Sequence, residues 1–184
     1  MPVAATESDS LRVRIRRGIT LFAAVANLAV IDQLAKKFAV VVFSNSPISV
    51  IPGFFDLAYV ENRGCAWGMF QGHVWPLATF GLAALAFLIW RRKDVFTPPE
   101  KTRFIGKTAA MRIAFAAEAL LYSGIVGNLA DRIFRGFVVD FLDFHFGTSH
   151  FPCFNLADSY ITIAVAALLA LSLAAAEEKD GSKK

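Results

Sequence analysis

"GFVVDFLDFHFGTSHFPCFNLADSYITIAVAALLA" runs from Gly136 to Ala170 and decides how the rest of the chain is read. Its first half is aromatic and β-branched, as in an extended strand or a segment lying on a surface. Its second half opens a nearly uninterrupted apolar run, Ala157–Ala176, about as long as the ~20 helical residues that a hydrocarbon layer requires. Asp140 and Asp143 sit in the first half, and Asp158 sits at the mouth of the apolar run. A carboxylate facing lipid costs several kcal/mol, so acidic residues at such a boundary face a bundle interior, a wet cleft or a partner.

Three further apolar stretches lie upstream, which places approximate spans at 18–43, 73–90, 104–130 and 157–176. The second carries Pro76 in its first turn, where proline is tolerated. The third is apolar mainly over Phe104–Ile125 and is interrupted by Lys107, Arg112 and Glu118. The composition agrees: of 184 residues, 56% are hydrophobic and 18% charged, with mean hydropathy +0.52. A soluble helical bundle would need polar faces that the second and fourth stretches lack. The fold class expected is therefore an all-α integral membrane protein, one domain over 1–184, with four transmembrane helices. A β-rich segment over about 44–72 and a loop over about 132–156 lie outside the membrane. Strands in "ISVIPGFFDLAYVENRGCAWGMF" cannot cross lipid with open edges and must lie at the interface or on the helices. Residues 1–11 read as a frayed tail, and a polar tail begins at Glu177.

The net charge of +4 is distributed in a way that argues against nucleic acid. Arg12, Arg14, Arg16 and Arg17 precede the first span, and Arg91, Arg92, Lys93, Lys101, Arg103 and Lys107 separate the second from the third. Basic flanks of this kind mark the cytoplasmic side, which puts both termini inside. The start also has the pattern of a cleaved signal peptide, but the apolar character resumes in "FAVVVF" after "DQLAKK", so an uncleaved first span is expected. Cys65 and Cys153 both fall in outer segments, where a disulfide is permitted and two thiols are equally acceptable. Neither has metal-ligand spacing, no "HExxH" is present, and His73, His145 and His150 are scattered, so no metal or other cofactor is assigned.

Several polar residues need a reason to be where they are. Asp32 and Lys36 share one helix face at i,i+4, which serves either a structural ion pair or a direct role in chemistry. Gly124 and Gly127 allow close helix approach. Asn128, Asp131 and Arg132 can share a face, either as a polar cap or as a network orienting a neighbouring site; Arg132 can pair with Asp131 or hold a substrate carbonyl. Asn155 can cap the last helix, with Asp158 favourable in its first turn. For Asp140 the plain alternative is a solvated loop carboxylate, and by spacing Asp143 is as good a candidate. If two of these carboxylates converge, repulsion raises one pKa, so one stays protonated while the other is ionised. Such a pair can deprotonate a water and protonate a carbonyl oxygen or leaving group, hydrolysing a peptide without metal. Glu118 is read as inward-facing or packed on a helix. A transporter subunit would spread its ionisable residues through the midplane. A noncatalytic scaffold would use the aspartates only to cap and pair.

Four segments occur in a telling order: "DQLAKK", "FFDLAYVENRGCAWGMF", "GNLADRIFRGFVVDF" and "FPCFNLADSYI". Together they resemble the lipoprotein signal peptidase (signal peptidase II) family of the bacterial inner membrane, over about Val30–Ala170. The resemblance implies a four-helix membrane bundle with a small extracytoplasmic β-rich cradle. It implies an aspartic endopeptidase that removes the signal peptide from diacylglyceryl-modified prolipoproteins, cutting before the lipidated cysteine. It matches the catalytic pair to Asp140 and Asp158 rather than Asp143, and the polar supports to Asp32, Lys36, Asn62, Asn128, Arg132 and Asn155, with Asp131 in the same cluster. Trp67 and Phe70 are expected at the substrate groove. The expected partners are the lipidated precursor and membrane lipid, without nucleic acid, and the expected state is a monomer. The site is expected near the extracytoplasmic face. Three features depart from the family pattern: Cys65 where alanine is common, Trp67 where phenylalanine is frequent, and "YSGIVGN" in place of a double-glycine approach.

Overall fold

The computed structural model describes residues 7–65, 69–98 and 105–181, so Trp67 lies outside the described residues. The chain runs α1 (Glu7–Phe43), β1 (Ile48–Ile51), β2 (Phe55–Asn62), α2 (Val74–Trp90), α3 (Arg92–Phe96), α4 (Lys107–Phe134), β3 (Val138–Phe146), β4 (Ser149–His150) and α5 (Leu156–Gly181).

Helix α4 is central because its sequence is small on one side and polar at its end. Ala110, Ala114, Ala117, Leu121, Gly124, Asn128 and Asp131 recur every three or four residues and are buried. That stripe admits its neighbours closely. A Cβ at Gly124 would lie 2.5 Å from the Ala157 carbonyl oxygen, and one at Gly127 would lie 2.5 Å from Asp32 Oδ2. The other helices present large apolar side chains outward: Phe22, Leu34 and Phe38 on α1, Phe80 and Trp90 on α2, Leu169 and Leu173 on α5. This outward apolar surface is what lipid requires and water does not tolerate in a patch this large.

Three helices are long and apolar enough to cross a membrane: Leu11–Phe43 within α1, α4, and Leu156–Ala174 within α5. Helix α2, with 17 residues, rises only about 25 Å. Of the four expected spans, three are helices long and apolar enough to cross and the second is a shorter apolar helix. Helix ends also differ from expectation. α1 is helical from Glu7, because its arginines are good helix formers and no glycine or proline lies between Glu7 and Gly18. α4 continues to Phe134, so the outer loop expected from about 132 starts a few residues later, and α5 continues through Gly181.

The strands form one antiparallel sheet in the order β1-β2-β3-β4. The "FVVDFLDFHF" segment is thus a strand and not a surface-lying stretch. Val60 pairs with Asp140 and Asn62 with Val138, with an irregularity between Leu57 and Val60. Side chains alternate across β3. Val139 and Phe141 pack with Ala39 and Phe43 of α1, so the sheet is pinned to the bundle on that face. Asp140 points the other way, yet it is only 2% exposed, and its carboxylate is held between the side chains of Asn62 and Asn155.

Candidate active site

The last helix begins with a reciprocal cap. Asp158 N–H donates to Asn155 Oδ1 (3.1 Å) and Asn155 N–H donates to Asp158 Oδ2 (3.2 Å). The plain reading of these two residues, a cap, is therefore correct, but it does not exhaust them. Asn155 Nδ2 also donates to Asp140 Oδ1 at 2.6 Å and to Asn128 Oδ1 at 3.2 Å. Asn128 Nδ2 donates to the other oxygen of Asp158, Oδ1, at 2.7 Å. Asn62 Nδ2, from the end of β2, donates to Asp140 Oδ2 at 2.9 Å. Three amides thus hold two carboxylates that come from a strand and a helix. Asp140 and Asp158 line one cavity of about 580 Å³ together with Asn62, Asn128 and Arg132. Phe151, Pro152, Phe154 and Ile163 give that cavity an apolar wall. A second cavity, of about 470 Å³, reaches Asp140 from the side of Glu61, Asp143 and His150.

Burial pushes the Asp140 carboxyl up to about 7, and the negative charge of Asp158 adds to the rise; the amides of Asn62 and Asn155 act in the opposite direction. Burial and a like charge thus both act on Asp140 within the cavity that it shares with Asp158.

Behind the pair lies a fully buried ion cluster. Lys36 Nζ contacts Asp32 Oδ2 (2.9 Å), Asp131 Oδ2 (3.1 Å) and Asn128 Oδ1 (2.9 Å). Asp32 Oδ1 accepts the Ala157 N–H at 3.0 Å, fixing the start of α5, and Asp131 Oδ2 accepts the Val139 N–H at 3.1 Å, fixing β3. The i,i+4 pair expected of Asp32 and Lys36 is present, and Asn128 and Asp131 do share the face that meets Lys36.

Arg132 does not make the first of its two expected contacts, the pair with Asp131. Its guanidinium donates to Gly64 O (3.1 Å) and Asn128 O (3.5 Å), while Asp131 is taken by Lys36, Gln33 and Arg135. One residue along a helix turns by about 100°, so Arg132 points to the loop after β2 and Arg135, four residues on, covers Asp131. Gly64 accepts that clamp because its loop is tight: a Cβ there would lie 2.4 Å from Met69 O. Phe70 is exposed with φ 57° and is not among the side chains lining either cavity. Cys65 and Cys153 line both cavities and are not joined in a disulfide. Burial and the charge of Asp140 push the Cys153 thiol up to about 12.

Asp143 lies apart from this network. It pairs with His150 at 3.0 Å, whose ring stacks on His145 with centroids 5.0 Å apart; His145 Nε2 lies 3.2 Å from Asp56 Oδ2. Strand pairing of His145 with His150 brings together two histidines that looked scattered along the chain. Among the described residues no group of three or more His, Cys, Asp or Glu side chains is placed to hold a metal ion. Sequence reasoning missed Gln33, which bridges Asp32 and Asp131, and Arg135. Arg135 was detectable by the same i,i+4 count that paired Asp32 with Lys36.

A helical membrane protein with this sheet and this site is of the aspartic-type endopeptidase class. The sequence model for signal peptidase (SPase) II matches residues 24–174. The chain belongs to that family. It is 36% identical over 162 residues to the lipoprotein signal peptidase of Azoarcus sp. (strain BH72), covering 88% of this chain and 85% of that one. It is 35% identical over 142 residues to the lipoprotein signal peptidase of Paraburkholderia phymatum, covering 75% and 78%. Its fold is similar to a solved bacterial membrane enzyme, determined by the in meso method at 1.9 Å, with TM-score 0.63 and 29% identity over 84% of this chain and 92% of that one.

Proposed function

We propose that this protein cleaves the signal peptide from diacylglyceryl-modified prolipoproteins just before the lipidated cysteine, with Asp140 and Asp158 as its catalytic pair. The observation that carries the reading is the single cavity in which both carboxylates meet an apolar wall. The charge of Asp158 favours the proton on Asp140. Asp158 then acts as general base: it takes a proton from a water whose oxygen attacks the scissile carbonyl carbon. Asp140 gives its proton to the carbonyl oxygen as the tetrahedral intermediate forms. When that intermediate collapses, the C–N bond breaks, the leaving amine takes the proton held by Asp158, and the hydroxyl proton returns to Asp140. Arg132, Asn62, Asn128 and Asn155 position the pair.

The substrate's chemistry explains the location. Each acyl CH₂ held in lipid is worth roughly 0.8 kcal/mol, so extraction of a diacylated substrate is prohibitive and lateral admission is required. Phe151, Phe154 and Ile163 form the side of the cavity suited to that approach. In the cell the protein is a multi-pass enzyme of the inner membrane. The basic ends of α1 and α2 lie in the cytoplasm with both termini, α2 crosses as the fourth span in a locally thinned bilayer, and the aspartates work near the extracytoplasmic face. The test is cleavage of a synthetic lipidated precursor by purified protein, with Asp140→Asn and Asp158→Asn beside it and a chelator control. Each variant should insert normally and lose cleavage, and the chelator should have no effect. Normal processing by both variants would end the proposal. Equal processing of an unlipidated precursor would remove the role given to the apolar wall.

A further inference from the structure

The end of the bundle remote from the aspartates holds a second built cavity. It measures about 560 Å³ and lies between the start of α4, α3 and the basic end of α1. Arg17, Lys107 and Arg112 line it, over a floor of Phe96, Met111 and Phe115. Its charge is not internally balanced. Glu118 is fully buried beneath it, but Arg92 engages both Glu118 oxygens through Nε and Nη2. Arg17 reaches Glu118 only at 3.6 Å and leaves its side chain 53% exposed. Lys107 and Arg112 have no carboxylate partner among the described residues. Glu118 therefore anchors the two arginines nearest it, and among the described residues the cavity lining keeps an excess of positive charge.

The polarity along α4 indicates what fills the cavity. Lys107 lies at the helix start, Met111 and Arg112 one turn deeper and Phe115 a turn beyond, so over about 12 Å an apolar track runs beside the two cations. A small soluble anion would use the cations and leave the floor wet. A phospholipid uses both, with its phosphate between Lys107 and Arg112 and an acyl chain over Met111 and Phe115. The precursor is a poor alternative, because a signal peptide carries its own cationic stretch ahead of its apolar segment and would be repelled. We propose that this cavity binds the phosphate head group of an anionic phospholipid from the leaflet opposite the catalytic pair. Basic pockets between membrane helices bind anionic head groups in this way.

The experiment measures lipid binding to the full-length protein in neutral detergent, by native mass spectrometry and by thermal shift. The probes are dioleoylphosphatidylglycerol, dioleoylphosphatidylcholine and inorganic phosphate. Phosphatidylglycerol should bind at least tenfold more tightly than phosphatidylcholine. In the double variant Lys107→Gln/Arg112→Gln its affinity should fall about 30-fold, and about fivefold in each single variant. Those side chains are exposed, and cleavage of a detergent-soluble lipidated precursor should be unchanged; should the double variant not fold, the single variants carry the test. The comparison variant Arg12→Gln/Arg14→Gln removes two cations outside the cavity and should cost less than threefold. The proposal is overturned if the cavity variants keep wild-type affinity or the comparison variant loses as much. It is equally overturned if phosphatidylcholine binds as well, or if inorganic phosphate binds as tightly as phosphatidylglycerol. Failure of the precursor-cleavage proposal would leave these binding outcomes untouched.

Discussion

Replacing Asn62 with alanine should move the alkaline limb of the pH–rate profile upward while lowering the rate. Asn62 Nδ2 donates to Asp140 Oδ2 at 2.9 Å, and a hydrogen bond to a carboxylate favours its charged form. The wild-type Asp140 carboxyl is already pushed up to about 7 by burial, then by Asp158. Measured from the ordinary value of 3.8, that is about 4 kcal/mol against ionisation at ~1.4 kcal/mol per pH unit. A hydrogen bond to a charged group contributes about 1.5–3 kcal/mol, so its loss should raise the Asp140 pKa by about 1–2 further. In the proposed mechanism the reaction needs the proton on Asp140 and is lost as pH rises through that value. In the wild type kcat/KM should fall tenfold per pH unit above about 7, the value given for Asp140 in the free enzyme. In Asn62→Ala the fall should begin about 1–2 pH units later. The assay is cleavage of a fluorogenic lipidated peptide between pH 5 and 10, with protein integrity checked at each pH. The reasoning fails if the limb moves to lower pH, or stays in place while only the plateau drops.

Lys36→Met should cost about 3–5 kcal/mol of stability, because it leaves Asp32 and Asp131 buried without their shared cation; an unchanged unfolding midpoint in detergent would contradict the cluster's role. Gly124→Ala should be destabilising by about 1–3 kcal/mol, since the new Cβ meets a backbone oxygen at 2.5 Å and the gain of at most about 1 kcal/mol in helix propensity cannot offset that. A more stable variant would show that α4 and α5 can separate freely. At pH 8 Cys153, whose thiol is pushed up to about 12, should alkylate with iodoacetamide at least a hundredfold more slowly than a solvent-exposed cysteine in an unfolded control; rapid modification would mean that this wall of the cavity is open to solvent.

What the sequence could reveal followed the range of the interaction. Apolar runs and basic flanks are local, so the membrane helices and their cationic ends were legible, as was the i,i+4 pair of Asp32 and Lys36. The sheet was legible as β-branched segments but not as a register, because Val60 meets Asp140 only once the chain has folded around α4. The amide relay was hidden for the same reason: Lys36 and Asn128 are 92 positions apart. Of the two roles left open for Arg132, pairing with Asp131 is not the one taken, because a helix turns neighbouring residues apart and brings Arg135 round to Asp131 instead. Glu118 looked unaccounted for because its partner, Arg92, belongs to a loop helix that no periodicity announced.

The amides also explain how a buried lysine can organise this site without disabling it. A carboxylate in direct contact with Lys36 would be held in its charged form, and a pair so treated would keep no proton to give. Asn128 stands between them: its carbonyl oxygen takes the lysine's hydrogen bond and its NH₂ holds Asp158. The amide passes on orientation but carries no net charge. Asn155 extends the relay to Asp140: its NH₂ donates both to Asn128 Oδ1 and to Asp140 Oδ1, so the lysine meets that carboxyl only through neutral amides. The positive charge is spent instead on Asp32 and Asp131, which tie α5 and β3 to α1 through the Ala157 and Val139 amides. Structural carboxylates thus pair directly with the lysine, and the candidate catalytic carboxylates, one layer outward, are aligned through neutral amides.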